Sequence, residues 1–298
     1  MIPLHITEID TIVMKIDFIN DSIQRKRLAE LLDYIRTVLN HFIDPVEYDI
    51  GFDKRIEYKV YCNNRTVVSF KTGYSNKNYY IIIKFAGLKS YDAVVDSMSL
   101  DYLLVIAAYL KTKTIIWQII ELDLALDVFH VNFENLLPIC TSHTSRTQYH
   151  SLDEIQLYHN ETRWIEKFET GVSMNNAVKR AYLYHKTLKE QTVHNNILGN
   201  TIQRFEVKLQ SGHFHKHGFN IEALASSLNM YHLLYFSRIS DKYALIAKYN
   251  SYQSVRKREI ERMNFKEYRL HFDFEYINNF ISMLLDIDDR DIFGDLTY

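Results

Sequence analysis

The sequence predicts an α+β fold, with mixed and antiparallel sheets, β-α-β units packed on helices and a mainly helical C-terminal part. Three observations point there. Segments such as residues 10 to 18 (DTIVMKIDF) and 121 to 128 (ELDLALDV) alternate apolar and polar residues with the period of a strand that buries one face. Others, residues 21 to 42 among them, repeat apolar residues at helical spacing. From about Gly218 the helical pattern prevails to the C-terminus. Hydrophobic residues make up 47% of the 298, enough for one large domain or two modest ones.

The elements follow in order. After the strand at 10 to 18, Asn20 or Asp21 can cap a helix to about Phe42 with apolar positions at Leu28, Leu31, Leu32, Ile35 and Leu39. Three strand candidates come next: IEYKVYCN, RTVVSFKTGY and NKNYYIIIKFAG. Their polar breaks, Asn63-Asn64 and GYSNKN at 73 to 78, mark hairpins. A helix over 91 to 111 leads into a long strand at 114 to 129, so β-α-β-β-β-α-β covers the first 130 residues. Asn132 can cap a short helix (NFENLLPIC), and ETRWIEKFE, KRAYLYHKTLKE and IQRFEVKLQS read as three further strands. IEALASSLNMYHLLYF, DKYALIAKYNSY and EYINNFISMLLDI read as helices, which sets an α+β domain over 1–215 against a mainly helical region over 216–298.

Composition excludes several classes. With 3 Pro and 8 Gly there is no linker-like stretch, and no repeat of solenoid period is present. The opening lacks the basic start and apolar core of a signal peptide, and runs such as LLVIAAYL are too short to span a bilayer, so a cytoplasmic protein with no membrane partner is expected. Cys62 and Cys140 form no Cys-x-x-Cys pattern and read as reduced core thiols. A net charge of −2 argues against a uniformly basic nucleic-acid binder but leaves room for local basic patches.

Three strands carry one polar face each. Asp123 and Asp127 share a face of ELDLALDV, opposite Leu122, Leu124, Leu126 and Val128. Tyr182, Tyr184 and Lys186 share a face of RAYLYHK with Arg180, and Arg204, Glu206 and Lys208 share a face of IQRFEVKLQ. If the three are neighbours in one sheet, acids, tyrosines and bases converge. Oxygen ligands of this kind suit Mg²⁺ or Mn²⁺, and a cation polarises a phosphodiester. A tyrosine, with a pKa of about 10, could then attack phosphorus covalently, while Arg204 and Lys186 hold neighbouring phosphates. The plainer reading is an ordinary solvated sheet face held by cross-strand ion pairs. Asp is disfavoured in strands, which weighs somewhat against it.

The succession LDLALD (122 to 127), RAYLYHK (180 to 186) and QRFEVKL (203 to 209) resembles the replication-initiation and relaxase proteins of certain rolling-circle plasmids, conjugative elements and filamentous phages. Their typical run is an Arg-Ile-Asp-x-Ala-x-Asp strand, an Arg-x-Tyr-x-Lys strand and an Arg-x-Glu strand. The resemblance covers roughly residues 110 to 215. It implies an endonuclease and strand transferase that nicks one strand of origin DNA and links tyrosine to the 5′ phosphate, leaving a 3′ hydroxyl. By this carry-over Asp123, Asp127 and Glu206 would hold Mg²⁺ or Mn²⁺, while Tyr184, Lys186 and Arg204 would be catalytic. The implied partners are single- or double-stranded origin DNA, a host helicase and polymerase, and a second copy in a homodimer. Glu121 stands where the family has Arg, and no Gly-Ser segment precedes the tyrosine strand. Those departures leave Tyr182 open as the nucleophile, and a non-cleaving origin- or operator-binding protein open as the function.

Rival patterns exist. His213-Phe214-His215 spells the His-hydrophobic-His pattern with which another class of nicking enzymes holds metal, and Tyr243 or Tyr249 would then be the tyrosine. A surface histidine cluster in a loop is the plainer reading. SVRKREIERM (254 to 263) could follow a phosphate backbone but reads as a solvated helix because Glu259 and Glu261 interrupt its bases. DIDDRD (286 to 291) lacks the glycine of a calcium loop, and no Gly-rich phosphate loop is present.

Overall fold

The computed structural model describes residues 2–19, 22–38, 43–50, 53–75, 78–140, 156–158, 162–164, 178–229, 231–250 and 268–286. In chain order the first elements are β1 (His5–Ile19), α1 (Ser22–Val38), β2 (Ile43–Ile50), β3 (Asp53–Cys62), β4 (Arg65–Ser75), β5 (Asn78–Ala86), α2 (Ala93–Thr112) and β6 (Trp117–Phe129). A 3₁₀ turn (Phe133–Asn135) precedes β7 (Leu136–Cys140), β8 (Gln156–Tyr158) and β9 (Thr162–Trp164). Then come β10 (Val178–His185), α3 (Lys186–His194), β11 (Ile202–Leu209), α4 (Ser211–His217), α5 (Ile221–Leu228), β12 (Tyr231–Tyr235), α6 (Ile239–Asn250), β13 (Arg269–Leu270) and α7 (Phe274–Asp286). The fold is α+β, as expected. Two compact units form: Met1–Glu8 with Asp123–Tyr276, and Ile9–Leu122 with Ile277–Tyr298. They interleave along the chain, so neither coincides with the 1–215 or the 216–298 segment.

In the second unit β1, β5, β4, β3 and β2 lie side by side in that order, all antiparallel. Register stacks their apolar positions into rows: Ile12 faces Phe85, which faces Val68, and Met14 faces Ile83, which faces Phe70. All six are essentially inaccessible. Each such burial is worth about 1.5–3 kcal/mol, and the strand period exists to place these side chains together. The Asn63-Asn64 hairpin is a two-residue loop with both residues in the left-handed region (φ 47° and 60°), the geometry that matches the twist of its strands. Asn63 also donates to Asp92 (2.9 Å), whose carboxylate caps α2 by accepting from the Val94 and Val95 amides.

β2 has no counterpart among the expected strands. It contains Pro45 and lies at the end of the row, where among the described residues one of its edges pairs with a neighbour. By length and composition α2 is apolar enough to cross a membrane, contrary to the reading of short apolar runs. It nonetheless buries Val95, Leu103, Ile106 and Leu110 against strands β3 to β5, as a core helix does. Cys62 is buried, and desolvation first, then Asp92, pushes its thiol up. That fits a reduced core thiol.

In the first unit β11 lies between β10 and β6, and a three-stranded sheet runs β13-β12-β7. Two expected helices are strands here. YHLLY pairs with β7 from Tyr231↔Cys140 to Tyr235↔Leu136, although its apolar run reads as the continuation of a helix. LLPIC is β7 itself, leaving only the 3₁₀ turn of the helix expected after Asn132. Continuous apolar runs of five residues carry no period, so pairing decides them. ETRWIEKFE contributes β9 alone, and its remainder lies outside the described residues.

Candidate functional site

β11 is buried along its whole length. Its odd-numbered residues Phe205, Val207 and Leu209 supply apolar surface, and its even-numbered residues Arg204, Glu206 and Lys208 form a polar row on the other side. The flanking strands supply a partner at each step. On one side the register with β10 sets Tyr184 opposite Arg204, Tyr182 opposite Glu206 and Arg180 opposite Lys208. On the other, Arg204 grips Asp127 through two parallel hydrogen bonds, Nε to Oδ1 at 2.6 Å and a terminal nitrogen to Oδ2 at 2.7 Å. Lys208 holds Asp123 at 3.2 and 3.3 Å. The two ion pairs run in opposite chain directions, which makes β6 and β11 antiparallel and leaves small Ala125 at the middle step, level with Glu206.

Glu206 receives two tyrosines. The Tyr182 hydroxyl makes a short hydrogen bond to Oε1, and the Tyr184 hydroxyl donates to Oε2 at 3.1 Å. The two rings stack at 5.5 Å. Tyr184 is 2% exposed, whereas Tyr182 is half-buried. Of the two tyrosines placed on the same carboxylate, Tyr182 is therefore the more exposed.

The strand expected over KRAYLYHKTLKE stops at His185, before Lys186. His185 caps α3, its Nδ1 accepting from the Leu188 amide at 3.2 Å, and Lys186 is the first residue of the helix. Lys186 leaves the tyrosine face and pairs with Glu190 at 2.9 Å, both buried. A cation does lie over the Tyr184 ring from the same helix: Lys189, with Nζ 4.7 Å from the ring centre. Strand alternation could not find it, since its position follows from a helix. Lys208 was legible on the polar face, but its pairing with Asp123 becomes readable only when the four-residue spacings 123/127 and 204/208 are set antiparallel.

The expected three-carboxylate metal set is not assembled. Asp127 is taken up by Arg204, Asp123 by Lys208 and Glu206 by the tyrosines. Among the described residues no group of three His, Cys, Asp or Glu side chains comes together to hold an ion. Arg204, with 0% exposure and its guanidinium committed to Asp127, is likewise not presented as a free phosphate ligand.

Of the rival patterns, the His213-Phe214-His215 run lies on α4 rather than on a strand or loop, with His213 buried and His215 exposed. Tyr243 is exposed on α6. The side chain of Tyr249, the basic SVRKREIERM segment and the acidic run beyond Asp286 lie outside the described residues.

No protein-family model matches the chain, and no curated protein does. Among solved structures it is similar to a rolling circle replication initiator protein from Geobacillus stearothermophilus, with a TM-score of 0.40 and 12% identity. The match covers 96% of this chain and 98% of that one. The functional reading rests on the residues of this chain.

Proposed function

We propose that this chain is a sequence-specific DNA nicking and joining enzyme that starts rolling-circle replication or transfer, with a tyrosine of β10 as nucleophile. One observation carries the reading: two tyrosine hydroxyls converge on the buried carboxylate of Glu206, on the three strands whose motifs resemble that family. The phenolic proton passes to Glu206 as the tyrosine oxygen attacks phosphorus. The bond from phosphorus to the 3′ oxygen breaks, and that oxygen leaves as a hydroxyl after taking up a proton. The product is a 5′ phosphotyrosine, and the reverse sequence joins strands. Accessibility favours Tyr182 as the nucleophile, with Tyr184 stacked behind it. The Asp127–Arg204 and Asp123–Lys208 pairs fix β6 against β11 and so hold Glu206 in place. The resemblance brings Mg²⁺ or Mn²⁺ with it, but no step is assigned to an ion, because the three carboxylates do not form a ligand set.

A second reading, a non-cleaving origin-binding protein, is favoured by the saturation of the polar row by its own ion pairs. One experiment separates the two. The protein is incubated with single-stranded DNA carrying its origin, in Mg²⁺ or Mn²⁺, and run on a denaturing gel. A covalent adduct that disappears in Tyr182→Phe supports the first reading and its nucleophile. A sequence-specific mobility shift without any adduct supports the second.

A further inference from the structure

A second group of polar side chains lies away from the three-strand face, on α4. On a helix His213 and His215 point to different sides, and the pair that shares a face is His213 and His217, four residues apart. Their rings are 5.3 Å apart with 44° between planes. His213 is 2% exposed, while His217 is exposed and open to solvent. The Nδ1 of His213 lies 3.1 Å from the Ser227 hydroxyl of α5, and among the described residues its buried Nε2 has no hydrogen-bond partner. A buried ring nitrogen left unpaired is costly, so the site holds an unused donor or acceptor next to an accessible imidazole. In the tautomer whose Nδ1–H donates to the Ser227 hydroxyl, the lone pair sits on Nε2. A metal-ligating histidine is arranged in the same way, with one nitrogen anchored and the other free to coordinate.

We propose that His213 and His217 chelate a divalent transition-metal ion of the zinc class, with Ser227 fixing the tautomer of His213. Two imidazoles without a carboxylate select Zn²⁺, Ni²⁺ or Cu²⁺ over Mg²⁺ or Mn²⁺. Among the described residues no third His, Cys, Asp or Glu joins the pair. The ion bridges one turn of α4, the helix that follows β11 directly, and through His213 and Ser227 ties that turn to α5. The site is independent of the nicking chemistry, and no step of that reaction passes through it.

The test is a calorimetric titration of the full chain with Zn²⁺ at pH 7.5, paired with far-ultraviolet circular dichroism to confirm the fold of each variant. Wild type is expected to bind one equivalent. His217→Ala, at an exposed position, should weaken binding at least about tenfold, and so should Ser227→Ala, which removes an anchoring partner. His215→Ala should bind as wild type does. Absence of stoichiometric Zn²⁺ binding in wild type, or equal affinity in His217→Ala, would overturn the proposal. Equal weakening by His215→Ala and His217→Ala would also overturn it, showing diffuse binding to a histidine-rich surface.

Discussion

At the scale of single residues, the Asp127–Arg204 pair is the most demanding feature of the fold. Both side chains have 0% exposure, and the guanidinium and carboxylate satisfy each other in a parallel fork. Arg204→Met, which takes from Asp127 the buried cation that grips it, should destabilise the chain by about 3–5 kcal/mol in urea unfolding. The double variant Arg204→Met with Asp127→Leu should recover much of that loss, and failure to recover would mean that the pair does more than neutralise itself. His232 on β12 gives a pH dependence. Burial first, then Arg269 and His271, push its pKa down from 6.5 to about 4. The folded chain holds the ring neutral while the unfolded chain takes up a proton below about pH 6.5. Its effect is therefore absent above pH 6.5, and stability falls as pH drops from there towards 4. Between pH 7.5 and 5 the loss from this residue should be about 2 kcal/mol, and His232→Leu should lose that much less over the same range. An equal loss in both proteins would count against the assignment. Which residues share the polar face was legible from alternation alone, since Asp123, Asp127, Tyr182, Tyr184, Arg204 and Glu206 all fall where a period of two puts them. Who pairs with whom was not, because register is a property of two strands and no single segment contains it.

At the scale of elements, tight turns were the most legible feature and short apolar runs the least. Asn63-Asn64 was read as a hairpin and is one, because asparagine tolerates the left-handed backbone that the loop demands. Asn64→Val, which puts a β-branched residue at φ 60°, should cost about 1–2 kcal/mol and lower the thermal midpoint accordingly, while Asn64→Gly should be neutral or stabilising. YHLLY and LLPIC escaped because each has almost no polar residue to reveal its period, and both become strands by pairing with one another. KRAYLYHKTLKE hid a strand and a helix in a single run. The switch at His185 depends on its ring capping the Leu188 amide, and it moves Lys186 off the face where alternation put it.

For the whole molecule, the turn to a helical pattern near Gly218 does not coincide with the bounds of the compact units. The chain leaves the first unit after Glu8 and re-enters it at Asp123, and α7 brings Ile277, Ile281 and Leu284, all at 0–1% exposure, into the other. β12, which pairs with β7, also lies beyond residue 215. A fragment ending at residue 215 would lose these contributions, each buried side chain being worth about 1.5–3 kcal/mol. It should lack cooperative unfolding in circular dichroism, and a fragment that unfolds with the cooperativity of the full chain would refute the interleaved organisation. Function belongs to the same scale, because the polar row joins residues that lie from 22 (Tyr184 and Glu206) to 85 (Asp123 and Lys208) positions apart in the sequence.

The central claim is that a β10 tyrosine, with Glu206 as its base, attacks DNA. The most direct measurement is the yield of covalent protein–DNA adduct on origin-bearing single strands, compared among wild type, Tyr182→Phe, Tyr184→Phe and Glu206→Gln. The expected result is an adduct in wild type, none in Tyr182→Phe, retention in Tyr184→Phe, and formation slowed about 10²–10⁴-fold in Glu206→Gln, the usual reach of a general base. An adduct that forms at the wild-type rate in both Tyr182→Phe and Glu206→Gln, or no adduct in wild type, would contradict it.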